Sequence, residues 1–139
     1  MSTEEKTTGQ SGIDGLIKAG NGEFSFRLDD LPRRDSNQGY TSPVVEGERI
    51  QVVLNTKTRG DRARKPHTHP NEQWNYIVKG TLRVKIGDQA EQLCGPGTML
   101  YFPANVVHST AATADEDVVF LAIKDRSNGM FNNTAAEDR

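Results

Sequence analysis

Residues 60–80 read GDRARKPHTHPNEQWNYIVKG, and the histidine pair at their centre governs how the rest of the chain is read. In extended backbone alternate side chains share a face, so His67 and His69 converge on one point. Two imidazoles at that spacing suit a divalent metal ion. The same pair also fits two exposed histidines in a loop flanked by Pro66 and Pro70, and His-X-His alone does not separate these readings. The remaining histidine, His108, closes a second segment marked by glycine and proline, GTMLYFPANVVH at residues 97–108.

Outward from these two segments the texture is strand-like. Residues 23–28 alternate polar and apolar, the period of a half-buried strand. Residues 49–54 alternate and then turn apolar. Residues 73–78 are rich in aromatic and β-branched side chains. Residues 81–88 alternate cleanly and end in a Gly-Asp turn. Residues 99–102 and 118–123 are short apolar strands. Gly80, Gly87, Gly95, Pro96, Gly97 and Pro103 punctuate them. Only residues 13–19 hint at helix, and Gly15 weakens that. Many short strands between such turns predict an all-β sandwich or barrel.

The chain has 139 residues, enough for one domain. Its hydrophobic fraction of 34% is low for a compact globule, so part of it is expected to be tail. The expected organisation is a disordered N-terminal tail at 1–12, an N-terminal arm with an edge strand at 13–45, a barrel at 46–126 and a C-terminal tail at 127–139. A formal net charge of -2 argues against a nucleic-acid-binding module. No apolar run approaches the ~20 residues of a membrane span, so no membrane association is expected. The first twelve residues do not read as a signal peptide. With a single cysteine, Cys94, there is no disulfide framework, and a cytoplasmic location is the default. Cys94, between Leu93 and Gly95, reads as a small buried side chain rather than a nucleophile.

Taken together, the two segments resemble the cupin superfamily. Its first motif runs glycine, His-X-His, Glu or Gln, then glycine, and its second runs glycine, proline, histidine. Here Gln73 follows His69 by four residues and Gly80 follows Gln73 by seven; Gly97 precedes Pro103 by six and His108 follows it by five. The resemblance covers residues 49–123, uses every histidine, and implies a single-domain double-stranded β-helix, or jelly-roll barrel. Three positions depart from the pattern: Gly60 lies one residue further from His67 than usual, Asn105 stands where the family has glycine, and Ala112 stands at the family's trailing asparagine. These are turn and loop positions, and asparagine tolerates left-handed backbone.

The resemblance implies a metal site of His67, His69, Gln73 and His108, holding one divalent transition-metal ion per chain: zinc, nickel, iron or manganese. Glu72 is the rival to Gln73. Strand parity puts Gln73 on the face of the two histidines and Glu72 on the other, unless Pro70 shifts the phase. Three imidazoles and a neutral amide leave the ion's charge uncompensated, so it would polarise an anionic or carbonyl-bearing ligand strongly. Catalytic candidates are Asn75, Tyr101 and Glu72. Substrate-binding candidates are Asn75, Phe102 and Lys124. Asn75 shares the inward face with Gln73, and either Tyr101 or Phe102 should line the mouth. Trp74 and Tyr76 then point to the other face, into the core or a subunit interface. Lys124 and Arg126 read as anion partners or, more ordinarily, as an exposed strand end.

Within the superfamily the metal motif looks like small cupins of the KdgF type, which implies redox-neutral ring opening of an unsaturated sugar acid. That type places a catalytic carboxylate on the last strand, near Ala122 here, and the inward alternatives Phe120 and Lys124 are not acids either. Three functions follow as expectations: a Lewis-acid metalloenzyme of isomerase or lyase type on a small oxygenated or anionic substrate; an iron- or nickel-dependent dioxygenase; or a non-enzymatic small-ligand binder. A homodimer pairing through residues 24–28 is also expected.

Overall fold

The computed structural model describes residues 17–20, 22–31, 34–35, 40–60, 66–126 and 134–135. The sequence expectations for residues 1–12 and 13–16, and most of those for 127–139, lie outside this set. The described strands are β1 (Ile17–Lys18), β2 (Arg34–Asp35), β3 (Tyr40–Ser42), β4 (Val44–Glu46), β5 (Ile50–Lys57), β6 (His67–Thr68) and β7 (Gln73–Lys79). There follow β8 (Leu82–Ile86), β9 (Gln92–Cys94), β10 (Met99–Phe102), β11 (His108–Ala112), β12 (Val118–Asp125) and β13 (Thr134–Ala135). They form two sheets. One runs β1-β4-β5-β12-β7-β10, with β3 also on β5 and β2 on β3; the other runs β13-β6-β11-β8-β9. Within the described residues every pairing is antiparallel except β1 with β4. The all-β jelly-roll expectation holds.

Alternation dictates which side chains enter. On β7, Gln73, Asn75 and Ile77 are buried while Trp74, Tyr76 and Val78 are exposed. On β12, Val118, Phe120, Ala122 and Lys124 are buried. The apolar core gathers Val44, Val53, Ile77, Leu82, Val118 and Phe120 between the sheets. Each such side chain contributes ~1.5–3 kcal/mol by leaving water. Cys94 is buried in the same cluster, as its apolar surroundings predict.

Two turns need special backbone. Gly80 has φ +80°, and a Cβ there would lie 2.1 Å from the Asp117 carbonyl oxygen, so no side chain fits. Asn105, at the family's glycine position, has φ 66°. Among the described residues it is the one non-glycine in the left-handed region, a conformation its short polar side chain tolerates.

Three expectations are corrected. Residues 23–27 form no strand and 28–30 form a 3-10 turn; Phe24 is 82% exposed. Alternation alone does not make a strand without a neighbour to take its hydrogen bonds, and within this chain the segment has none among the described residues. Ile17–Lys18 is a strand beside β4, not part of a helix. Trp74 and Tyr76 do point to the face opposite Gln73, but that face is the outer one of the first sheet rather than the core of this chain; Trp74 packs on Tyr101 with ring centroids 4.7 Å apart. Thr134–Ala135, near the chain's end, pairs with β6.

Candidate metal centre

Register builds the site. Across the inner face of the first sheet one row runs Glu46, Gln51, Lys124, Gln73, Phe102, each paired with the next on the neighbouring strand. The next row runs Val44, Val53, Ala122, Asn75, Leu100. The first row is polar over four strands and the second is largely apolar, so one end of the barrel is wired for chemistry and the other for packing. All ten side chains are buried.

The opposite sheet supplies the histidines. His67 on β6 pairs with His108 on β11. His69 follows β6, and its carbonyl accepts from the Asn105 amide at 2.8 Å, which ties the left-handed turn of the second motif to the first. The three imidazoles are buried, with ring centroids 4.4, 4.9 and 5.8 Å apart. One nitrogen from each can be chosen so that all three lie within 4.8 Å of one another. Nδ1 of His69 lies 3.0 Å from the Asn71 carbonyl, and Nδ1 of His108 lies 3.0 Å from the Val106 carbonyl. A carbonyl only accepts, so each Nδ1 carries the proton and each Nε2 keeps its lone pair for a ligand.

Burial, reinforced by the nearby charges of His108 and Lys124, pushes His69 down to about 3 from its usual 6.5. It is therefore neutral at neutral pH, the form that binds metal. Three imidazoles gathered this closely are a donor set that fits a divalent transition ion. Gln73 lies beside them and hydrogen-bonds His69. Its Nε2 donates to Asn75 Oδ1 at 2.8 Å, which holds the amide with its carbonyl oxygen available. Phe102 packs its ring 4.8 Å from that of His108 and walls the site.

The other sequence candidates divide. Asn75 lies inward and positions Gln73. Lys124 is buried on the inward row, paired with Gln73 and electrostatically coupled to His69, not an exposed strand end. Arg126 is buried too, its Nε 3.2 Å from Glu46 Oε1. Glu72 and Tyr101 lie on the outer side: Tyr101 donates to Glu72 Oε2 at 2.6 Å. That hydrogen bond, with some desolvation and the carboxylate's charge, raises the Tyr101 pKa. Sequence reasoning missed Glu46 and Gln51. The parity of Gln51 with Val53 was the available signal, since both must face inward on β5.

Residues 57–124 match the family model described as Cupin domain. This chain carries a cupin domain. A search of curated proteins finds oxalate decarboxylase OxdC of Bacillus subtilis (strain 168), 29% identical over 119 residues, which are 80% of this chain and 31% of that protein. The cupin chain thus spans about a third of the length of that relative. Among solved structures, KdgF from Halomonas sp. superposes with a TM-score of 0.65 at 21% identity, covering 73% of this chain and 93% of its own. The polyketide cyclase RemF from Streptomyces resistomycificus gives 0.70 at 15% identity, covering 82% and 85%. At these identities the two structures establish the cupin fold alone. No helix among the described residues is long and apolar enough to cross a membrane.

Proposed function

We propose that this chain is a metal-dependent enzyme acting on a small oxygenated or anionic molecule by a redox-neutral reaction. His67, His69 and His108 would hold one divalent transition-metal ion, with Gln73 as the fourth ligand. The observation that carries this reading is the convergence of three buried imidazoles, two with Nδ1 committed to backbone carbonyls. A bound ion would supply Lewis-acid polarisation of a substrate oxygen. The chain's own residues do the rest. Asn75 holds the Gln73 amide in place, Phe102 and the apolar second row keep bulk water from the site, and Lys124 presents a cation beside it. Low dielectric strengthens each of these charges.

The neutral donor set supports an anionic substrate, because nothing among the four ligands offsets the ion's charge. The relative's name points the same way: a decarboxylase of oxalate acts on a small anion. The KdgF-type sugar-acid reaction is less well served, since the inward positions of β12 near Ala122 hold no carboxylate. The deciding experiment is elemental analysis by mass spectrometry of purified protein against His108→Ala. Zinc, nickel or manganese near one per chain, lost in the variant, supports the proposal. Iron at that level together with oxygen uptake replaces it with the dioxygenase reading. No metal in either protein overturns it.

A further inference from the structure

The outer face of the first sheet is apolar as well as its inner one. One outer row runs Ile17, Val45, Val52, Ile123, Trp74, Tyr101, each paired with the next across six strands. The neighbouring row runs Leu54, Leu121, Tyr76, Met99. These ten outward positions include no charged residue. An antiparallel sheet with one face in water ordinarily alternates apolar inward with polar outward, so this sheet is patterned for cover on both sides. The cover within the chain is uneven. Val45 and Leu54 are buried, whereas Trp74, Tyr76, Val78, Met99 and Tyr101 on β7 and β10 are 38–52% exposed. At ~200 Å² for a side chain of this size, those five leave on the order of 450 Å² of apolar surface in one patch. A stable interface takes about 800 Å² from each partner, so five side chains supply more than half of what a second copy needs. Residues 1–12 hold one apolar side chain, Met1, and residues 127–133 hold two, Met130 and Phe131, too few to cover five.

Charge at the ends of the patch says which occupant fits. Glu72 precedes β7 and lies on the outer side, where its Oε2 accepts from Tyr101. Lys79 ends β7 and, past the bulge, pairs with Val119, whose side chain shares the outward parity of Leu121 and Ile123. The strip therefore runs acid, aromatic, base along one strand. A twofold axis lying in the interface and crossing the strands turns such a strip end for end, and sets each acid against the partner's base. We infer that the outer face of β7 and β10 is the contact between two copies of this chain, packed face to face with β7 over the partner subunit's β7 in the opposite direction. Trp74, Tyr76 and Met99 form its centre, and Glu72 and Lys79 its two charged ends. The inference is independent of the metal reading.

The test is sedimentation velocity of the full-length protein over a dilution series, read beside the emission of Trp74, the chain's single tryptophan. Wild type is expected at twice 15.3 kDa, with Trp74 emission shifting to the red as dilution dissociates it. Tyr76→Glu and Met99→Glu, at exposed positions, are expected to raise the dimer Kd at least a hundredfold while far-UV circular dichroism stays that of wild type. Lys79→Glu is expected to weaken the dimer at least tenfold, and adding Glu72→Lys to it to recover most of the loss, because the two charges then exchange places across the twofold. Wild type that sediments at 15.3 kDa at every concentration overturns the inference, and this arm needs no variant to fold. A dimer that survives Tyr76→Glu and Met99→Glu also overturns it; loss of that dimer in Phe24→Glu would place the contact at residues 24–28 instead. A monomer whose Trp74 emission shifts to the red when residues 1–12 are removed would give the face to the chain's own terminus, and overturns it as well.

Discussion

Gln73 and Glu72 are neighbours in sequence and lie on opposite sides of the first sheet. Gln73 touches His69 and Asn75, whereas Glu72 accepts from Tyr101 on the outer side. Gln73→Ala should therefore weaken metal binding, while Glu72→Gln should leave stoichiometry and affinity unchanged; competition with a chromogenic chelator reads both. Asn75→Ala releases the Gln73 amide without removing a ligand. A loss of ~10–100-fold in metal affinity is expected, the usual cost of losing an orienting hydrogen bond behind a ligand. Equal affinity in Asn75→Ala and wild type would show that Gln73 is not held by Asn75. The residue pattern made Gln73 legible through parity alone. It could not show that Asn75 spends its carbonyl oxygen on Gln73, because that depends on two rotamers in a closed interior.

At the scale of elements, each of the two motifs depends on a turn with unusual backbone. The β7–β8 turn depends on Gly80, where positive φ and the 2.1 Å approach of a virtual Cβ to the Asp117 oxygen act together. Gly80→Ala should cost several kcal/mol and lower Tm by roughly 10 °C or more, read by thermal denaturation. Asn105 carries less strain, so Asn105→Gly should be nearly neutral in Tm, and Asn105→Val should destabilise by ~1–2 kcal/mol. The strands β5, β7, β8, β10 and β12 were legible because each alternates or is uniformly apolar. β4, β9 and β11 were not, since Val44–Glu46, Gln92–Cys94 and His108–Ala112 show neither sustained alternation nor a continuous apolar run. Residues 23–28 show the converse: good alternation with no neighbouring strand.

At the scale of the whole molecule, the buried histidines couple metal, proton and fold. His69 has a pKa of about 3 in the folded chain against 6.5 ordinarily. Below about pH 6.5 the unfolded chain binds a proton that the folded chain refuses, so the metal-free protein loses stability as pH falls from there towards 3. Tm of metal-free protein should fall between about pH 6.5 and 5, above the range where ordinary carboxylates titrate, and His69→Gln should flatten that slope. Equal slopes in the two proteins would show that His69 does not carry the effect. Saturating metal acts oppositely, because it binds the folded site; at a hundredfold excess over Kd the gain is about 2.7 kcal/mol.

The sequence by itself determined the fold class, the two motifs and the three histidines. Those depend on local periodicity, turn chemistry and spacing, all of which act over a few residues. Only the tertiary structure decided which polar side chains share the interior. Lys124 is separated from Gln73 by fifty-one positions, and Arg126 from Glu46 by eighty, yet antiparallel register sets the first pair side by side and brings the second to 3.2 Å. Read along the chain, each is an ordinary charged residue near a strand end. Parity alone puts Lys124 on the inward face, but the burial of both cations follows from closure of two sheets over them, a long-range event.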